Sequence, residues 1–198
     1  MFQSEQYKKE QLTIDLVKAN LFAFFLIIPL LVVFGLPYYF VWQDTFTFAH
    51  IKDYFSGLSF GHMGIRMLLF VIIFLLGIAL HELIHGITWA IFAKKGFKSI
   101  KFGILWKMFT PYCHCKEPLK VKQYILGAIT PAILLGIIPA VIAIFKGNIG
   151  LLLFGMFFTM AAAGDFMIIY LLRNENKNDY VEDHPSEAGC FIYRKITE

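Results

Sequence analysis

Charged side chains are scarce in this chain. Asp, Glu, Lys and Arg make up 16 % of its 198 residues, whereas an ordinary soluble domain carries about 25 %, and the deficit excludes a protein whose whole surface meets water. Cysteine is scarce too. Three residues cannot build a disulfide framework, and all three are expected in a reducing, cytoplasmic setting. The chain opens on a polar stretch, Met1 to Asn20, and no cleavable-looking signal peptide precedes its first apolar run. The formal charge of +4 carries no nucleic-acid footprint and reads instead as a record of membrane topology and contact with anionic lipid heads.

What is abundant is apolar: 58 % of residues are hydrophobic and 17 % aromatic. Four runs reach the roughly 20 residues needed to cross a hydrocarbon core, Leu21 to Trp42, Ile65 to Ala93, Tyr124 to Phe145 and Ile149 to Leu172. Prolines 29, 131 and 139 lie inside them and are expected to kink rather than break the helices. The expectation is an all-α, multi-pass membrane protein of about four transmembrane helices, forming a single domain over residues 1–198 with a polar tail, Arg173 to Glu198. With four spans, fifteen Lys and Arg fall on one side and three, Lys52, Arg66 and Lys146, on the other. The positive-inside rule then puts both termini and Lys94 to Gln123 in the cytoplasm, and the protein in the cytoplasmic membrane.

Inside the second run the only charged residues are Arg66, at its start, and Glu82, which is flanked in His81-Glu82-Leu83-Ile84-His85. An ionisable cluster at bilayer depth is costly and marks a functional site by default. On a helix the two histidines share a face, so both rings can point at one cation. H-E-x-x-H is the zinc-peptidase pattern, with two histidine ligands and a Glu placed as general base. At 1.5 Å per residue the histidines lie roughly 13 to 20 Å inside the cytoplasmic helix end, and Asp165 roughly 12 Å from the same face. Asp165 is therefore the candidate third ligand, leaving a position open for water as in catalytic zinc sites. Its alternative role is to accept hydrogen bonds from a neighbouring helix. Ala161-Ala162-Ala163-Gly164 would let another helix approach closely.

These residues resemble a known class. H-E-x-x-H on one transmembrane helix and an Asp on a later one resemble the site-2 protease class of intramembrane zinc peptidases. A closer resemblance is to small, mostly bacterial membrane proteins called putative zincin peptidases. It runs from about Ile78 to Tyr193, through His81 to Gly86, Cys115-Lys116-Glu117-Pro118-Leu119, Ala163-Gly164-Asp165, Asp183-His184-Pro185-Ser186 and Gly189-Cys190. The resemblance implies His81, His85 and Asp165 as ligands of one zinc ion and Glu82 as general base. The chain departs from site-2 proteases around Asp165, which follows Gly164 and precedes Phe166, and it has no PDZ-like insert.

Between the second and third runs, residues 98–109 alternate with period 2, predicting a strand that Thr110-Pro111 turns back as a short cytoplasmic-side hairpin. Phe102, Ile104 and Trp106 are its candidate substrate contacts, because a peptide must be unwound to be cut and an exposed strand edge can hold it extended. The same hairpin could instead only anchor Trp106 and Phe109 at the headgroups. Cys113-His114-Cys115 lacks the second ligand pair of a structural zinc site. In the tail, Ser186 is a helix-cap candidate, while His184 and Cys190 have no assigned role beyond a lid over the metal. His50 and His62 are expected at the opposite membrane interface. The reading is a zinc metallopeptidase acting on membrane proteins or peptides within the bilayer. Its alternatives are a metal carrier or sensor using the same ligands, or an inactive scaffold.

Overall fold

The computed structural model describes residues 6–45, 60–105, 110–184 and 187–196, apart from the side chains of residues 16, 45, 60–62, 105 and 110. His50, His62, Trp106 and Phe109, singled out above, lie outside the described residues or side chains.

Helix α1 spans Val17–Trp42. The Asp15 carboxylate caps it, accepting from the backbone amides of Val17 at 2.9 Å and Lys18 at 3.3 Å. Helix α2 spans Phe60–Phe92 and α3 Val121–Lys146. The prolines do not interrupt these helices. A π-helical turn, Leu31–Gly35, precedes Pro37 in α1, and another, Ala132–Ile137, separates Pro131 from Pro139 in α3. A wider turn accommodates the missing N–H and the ring of the imino acid. The last apolar run is broken: α4, Ile149–Ala161, and α5, Ala163–Leu172, meet at Ala162 with a bend of 43°. Among the described residues three helices are thus long and apolar enough to cross a membrane, or four if the bent pair is one span. Their outer faces carry large bare hydrophobics, with Met67 and Ile91 each 72 % exposed on α2. Such surface is at home in lipid and not in water.

The all-α expectation is corrected by the strands. β1 (Tyr7–Thr13), β4 (Leu119–Lys120), β5 (Tyr180–Asp183) and β6 (Gly189–Lys195) form one antiparallel sheet in the order β1-β6-β5-β4. The two chain ends, read from sequence as polar flanks, pair with each other from Tyr7 opposite Lys195 to Thr13 opposite Gly189. The helix-cap candidate Ser186 lies outside the described residues, and the tail around it forms the β5–β6 hairpin. Its inner face has a core of its own, since Val181, Cys190 and Ile192 are fully buried against Val121, Leu119 and Leu172. On its edge the Arg194 guanidinium bonds both Glu10 and Glu175, the latter at 2.7 and 2.8 Å.

The hairpin strands are β2 (Ile100–Leu105) and β3 (Thr110–Cys115), antiparallel with Phe102 opposite Cys113, but the expected bounds are corrected: Lys98 and Ser99 belong to a short 3-10 turn, and Thr110 and Pro111 do not turn the chain but pair within β3 opposite Leu105 and Ile104. It folds back along α2, so that the Phe102 ring and Ile100 lie over Gly86, where a side chain of any size would collide with them. Elsewhere α1 meets α3 and α4 through Leu30, Phe34 and Tyr38, and α4 meets α2 through Phe158 against Phe74, Ile78 and Ile84.

Candidate metal centre

His81 and His85 are one turn apart on α2 and nearly fully buried, as their apolar helix and the packing of α3 require. Asp165 comes from another direction. The bend at Ala162 ends α4 and begins α5 afresh, placing Asp165 in the first turn of α5, where the positive end of the helix dipole favours a carboxylate. The three side chains converge. His81 Nε2 lies 3.2 Å from His85 Nε2 and 3.2 Å from Asp165 Oδ2, while His85 Nε2 lies 3.3 Å from Asp165 Oδ1. Among the described residues they form the one group of three that could hold a metal.

The chemistry of this donor set suits a cation. His85 Nδ1 contacts the Gly127 carbonyl at 2.9 Å, an acceptor, so this nitrogen carries a proton, and a neutral ring would turn its lone pair at Nε2 toward its neighbours. Lone pair would then face carboxylate oxygen at 3.3 Å, a repulsive contact that a divalent ion between the donors turns into attraction. The separations agree with this, because ligand atoms on 2.0–2.1 Å bonds in a tetrahedron stand about 3.3 Å apart. His81 Nδ1 is buried with no hydrogen-bond partner, so that ring is oriented through its Nε2 alone.

Around His85 the rings are stacked. His85 lies on Trp89 at 5.1 Å between centroids and Trp89 on Tyr124 at 5.1 Å, and the Trp89 indole N–H donates to the Tyr124 carbonyl at 3.1 Å. The Tyr124 hydroxyl donates to Asp183 of β5, and the other Asp183 oxygen accepts from the Cys115 amide at 2.7 Å. Burial pushes the Asp183 carboxyl up, while the Tyr124 hydroxyl and the Cys115 amide hold it down.

A cavity of about 330 Å³ opens on the metal-binding group. Glu82 lines it, half-buried and outside the three-residue group, with its carboxylate bonded to the Cys113 amide of β3. Pro111 to His114 of β3 form one wall, and His184, Glu187 and Ala188 from the turn between β5 and β6 another. That turn is tied to β1: Gln11 Nε2 donates to Glu187 at 3.1 Å and lies 3.1 Å from His184 Nε2, and the Ile14 amide donates to the Ala188 carbonyl at 2.8 Å. Phe102 and Ile104 lie on β2, more than a third exposed and not in this lining. The strand bordering the cavity is β3. Its outward donors are taken or missing: Pro111 has no N–H, Cys113 serves Glu82 and Cys115 serves Asp183.

Sequence reasoning missed Asp183 and Tyr124 as part of this site. The signal for Tyr124 was available in hindsight, an amphipathic ring at the start of an apolar run, but Asp183 reaches the site only through the sheet. The Cys113-His114-Cys115 run gathers no metal group among the described residues, and burial pushes the Cys115 thiol up to about 11, away from the thiolate a metal needs.

A family model described as "Putative zincin peptidase" matches residues 74–180, more than half of the chain. The chain belongs to this family. The zincin match covers the histidine pair, Glu82, the hairpin and Asp165, and it ends three residues before Asp183. Zinc is the metal that a zincin implies, and the His81, His85 and Asp165 donor set accepts it on the geometry above. No curated protein and no solved structure matches the chain.

Proposed function

We propose that the protein is an intramembrane zinc metallopeptidase that hydrolyses peptide bonds of membrane-associated proteins. The observation carrying this reading is the convergence of two imidazole nitrogens and a carboxylate beside a cavity that also holds Glu82, an unligated carboxylate. His81, His85 and Asp165 would hold one zinc ion. When bound, the metal supplies Lewis acidity, polarising the scissile carbonyl and making water easier to deprotonate near neutral pH. Glu82 takes the proton from the attacking water on a carboxylate oxygen and passes it to the nitrogen of the leaving amine. The Cys113 backbone amide donates to that carboxylate and helps to hold it in place. The His85–Gly127 bond keeps that ligand ring from rotating.

The Lys and Arg distribution supports a site near the cytoplasmic side, with both termini in the cytoplasm. A stretched substrate segment would occupy the cavity beside β3, with Phe102 and Ile104 of the neighbouring strand meeting its apolar flank; Trp106, the third candidate contact, lies outside the described residues. A carrier or sensor has no chemical use for Glu82, and this separates it from an enzyme. Glu82→Gln should leave zinc content and folding intact while removing a proton-transfer contribution of about 10² to 10⁴ in rate. Cells expressing that variant should accumulate an uncut membrane protein when their membrane proteome is compared with wild type. Indistinguishable proteomes, together with a metal-transport phenotype that follows His81 and Asp165 but ignores Glu82, would replace the peptidase with a carrier.

A further inference from the structure

Among the described residues β3 has one strand neighbour, β2, and Pro111 decides how the two pair. Lacking an N–H, Pro111 cannot take part in a doubly bonded pair with Ile104, so the ladder closes through Gly103–Tyr112 and Lys101–His114. The amides of Cys113 and Cys115 therefore point away from β2, along one edge and two residues apart, about 7 Å. Each meets a carboxylate: Cys113 meets Glu82 of α2, and Cys115 meets Asp183 of β5 at 2.7 Å. One strand edge thus carries the proposed base and, two residues on, an anchor to the sheet built from the chain ends. The second Asp183 oxygen is bonded by the Tyr124 hydroxyl, so the anchor itself is fixed to α3.

From this arrangement we infer that Asp183 is a positioning residue for Glu82: it sets the register of β3 on α2, and β3 in turn presents the Cys113 amide to the Glu82 carboxylate. Asp183 need not touch substrate or metal to do this. It belongs to the part of the chain beyond the family match, so the sheet of the two termini becomes a component of the site. The inference rests on the reading of Glu82 as general base, and its test uses a signal that requires no substrate.

The chain has three cysteines, so zinc-loaded protein labelled with 15N-cysteine in detergent micelles gives three amide resonances, assignable by single Cys→Ser variants. Glu82→Gln defines where the Cys113 resonance goes when its acceptor loses charge. Asp183→Asn should retain zinc, move the Cys113 resonance toward that position and speed hydrogen exchange of this amide by about tenfold, the equivalent of one lost hydrogen bond. In the double variant, Asp183→Asn should add no further displacement. If Asp183→Asn does not fold, Asp183→Glu keeps the charge and displaces it by one methylene, and the same movement is expected. A Cys113 resonance that stays put while Cys115 moves, in whichever variant folds, overturns the inference. So does loss of zinc in step with the shift, because Asp183 would then act through the ligands. Undiminished cleavage by Glu82→Gln would sink the peptidase reading and leave the Cys113 measurement unaffected.

Discussion

His85 and Gly127 are joined across two helices by a 2.9 Å contact between ring Nδ1 and backbone carbonyl, and the residue that accepts this bond is also the one that makes room for the Trp89 ring. A Cβ built on Gly127 would stand 2.0 Å from the indole nitrogen. Either α3 or the indole must move if one is added, and the stack that supports His85 moves with it.

Gly127→Ala should therefore weaken zinc binding without touching a ligand. Disturbing the groups that orient a metal-bound histidine commonly costs about 10- to 100-fold in affinity. Competition with a chromophoric chelator measures it. Gly64→Ala on α2 is the control, since a Cβ there meets nothing within 4 Å and its affinity should match wild type.

Purified wild-type protein should contain close to one zinc per chain by elemental analysis. His81→Ala, His85→Ala and Asp165→Ala should each lose most of it, because a site with three protein ligands rarely survives the loss of one. Full occupancy in Asp165→Ala would move the third ligand elsewhere. His114 and His184, which line the same cavity, would then be tested next.

Single cysteines placed at Lys9, Asp53, Lys120 and Asn148, in a chain stripped of its native three, test the orientation. An impermeant thiol reagent added to intact cells should label positions 53 and 148 and leave 9 and 120 unlabelled until the cells are broken open. The opposite pattern would invert the topology.

Arg194 makes the terminal sheet sensitive to acid. Its guanidinium holds the Glu175 carboxyl below the ordinary value of 4.5. A folded-state pKa lower than the unfolded one means that the ion pair's stabilisation is complete above about pH 4.5 and disappears as the pH falls through the lower, folded value. Wild type should thus melt at a higher temperature than Arg194→Met near pH 7, and the gap should close on acidification below 4.5. A gap that stays constant across that range would show that the charge pair contributes nothing. High salt should narrow it as well, since Arg194 is partly exposed.

The histidine pair and Glu82 were legible from the chain alone because helical periodicity is local: residues four apart share a face whatever surrounds them. The apolar runs were legible for a similar reason, as their length and lack of charge are properties of composition and do not depend on partners. Asp165 was reached by counting residues from the charged helix ends. Its orientation was not, because it depends on the bend at Ala162, which nothing in Ala161-Ala162-Ala163-Gly164 specifies beyond the absence of bulk.

Tertiary structure alone decided the rest. β1 pairs with β6 across more than 170 residues of chain, and a seven-residue polar strand with charged side chains along it has no local pattern that separates it from a flexible flank. The sheet that it completes brings His184 and Glu187 over the cavity, and β5, paired with β6 and β4, sets Asp183 against Cys115 and Tyr124. Local sequence set which groups could do chemistry, since helix period and side-chain type suffice for that. Which groups orient them was set by long-range pairing, because a carboxylate on one strand reaches an amide on another only after the loops between them have closed.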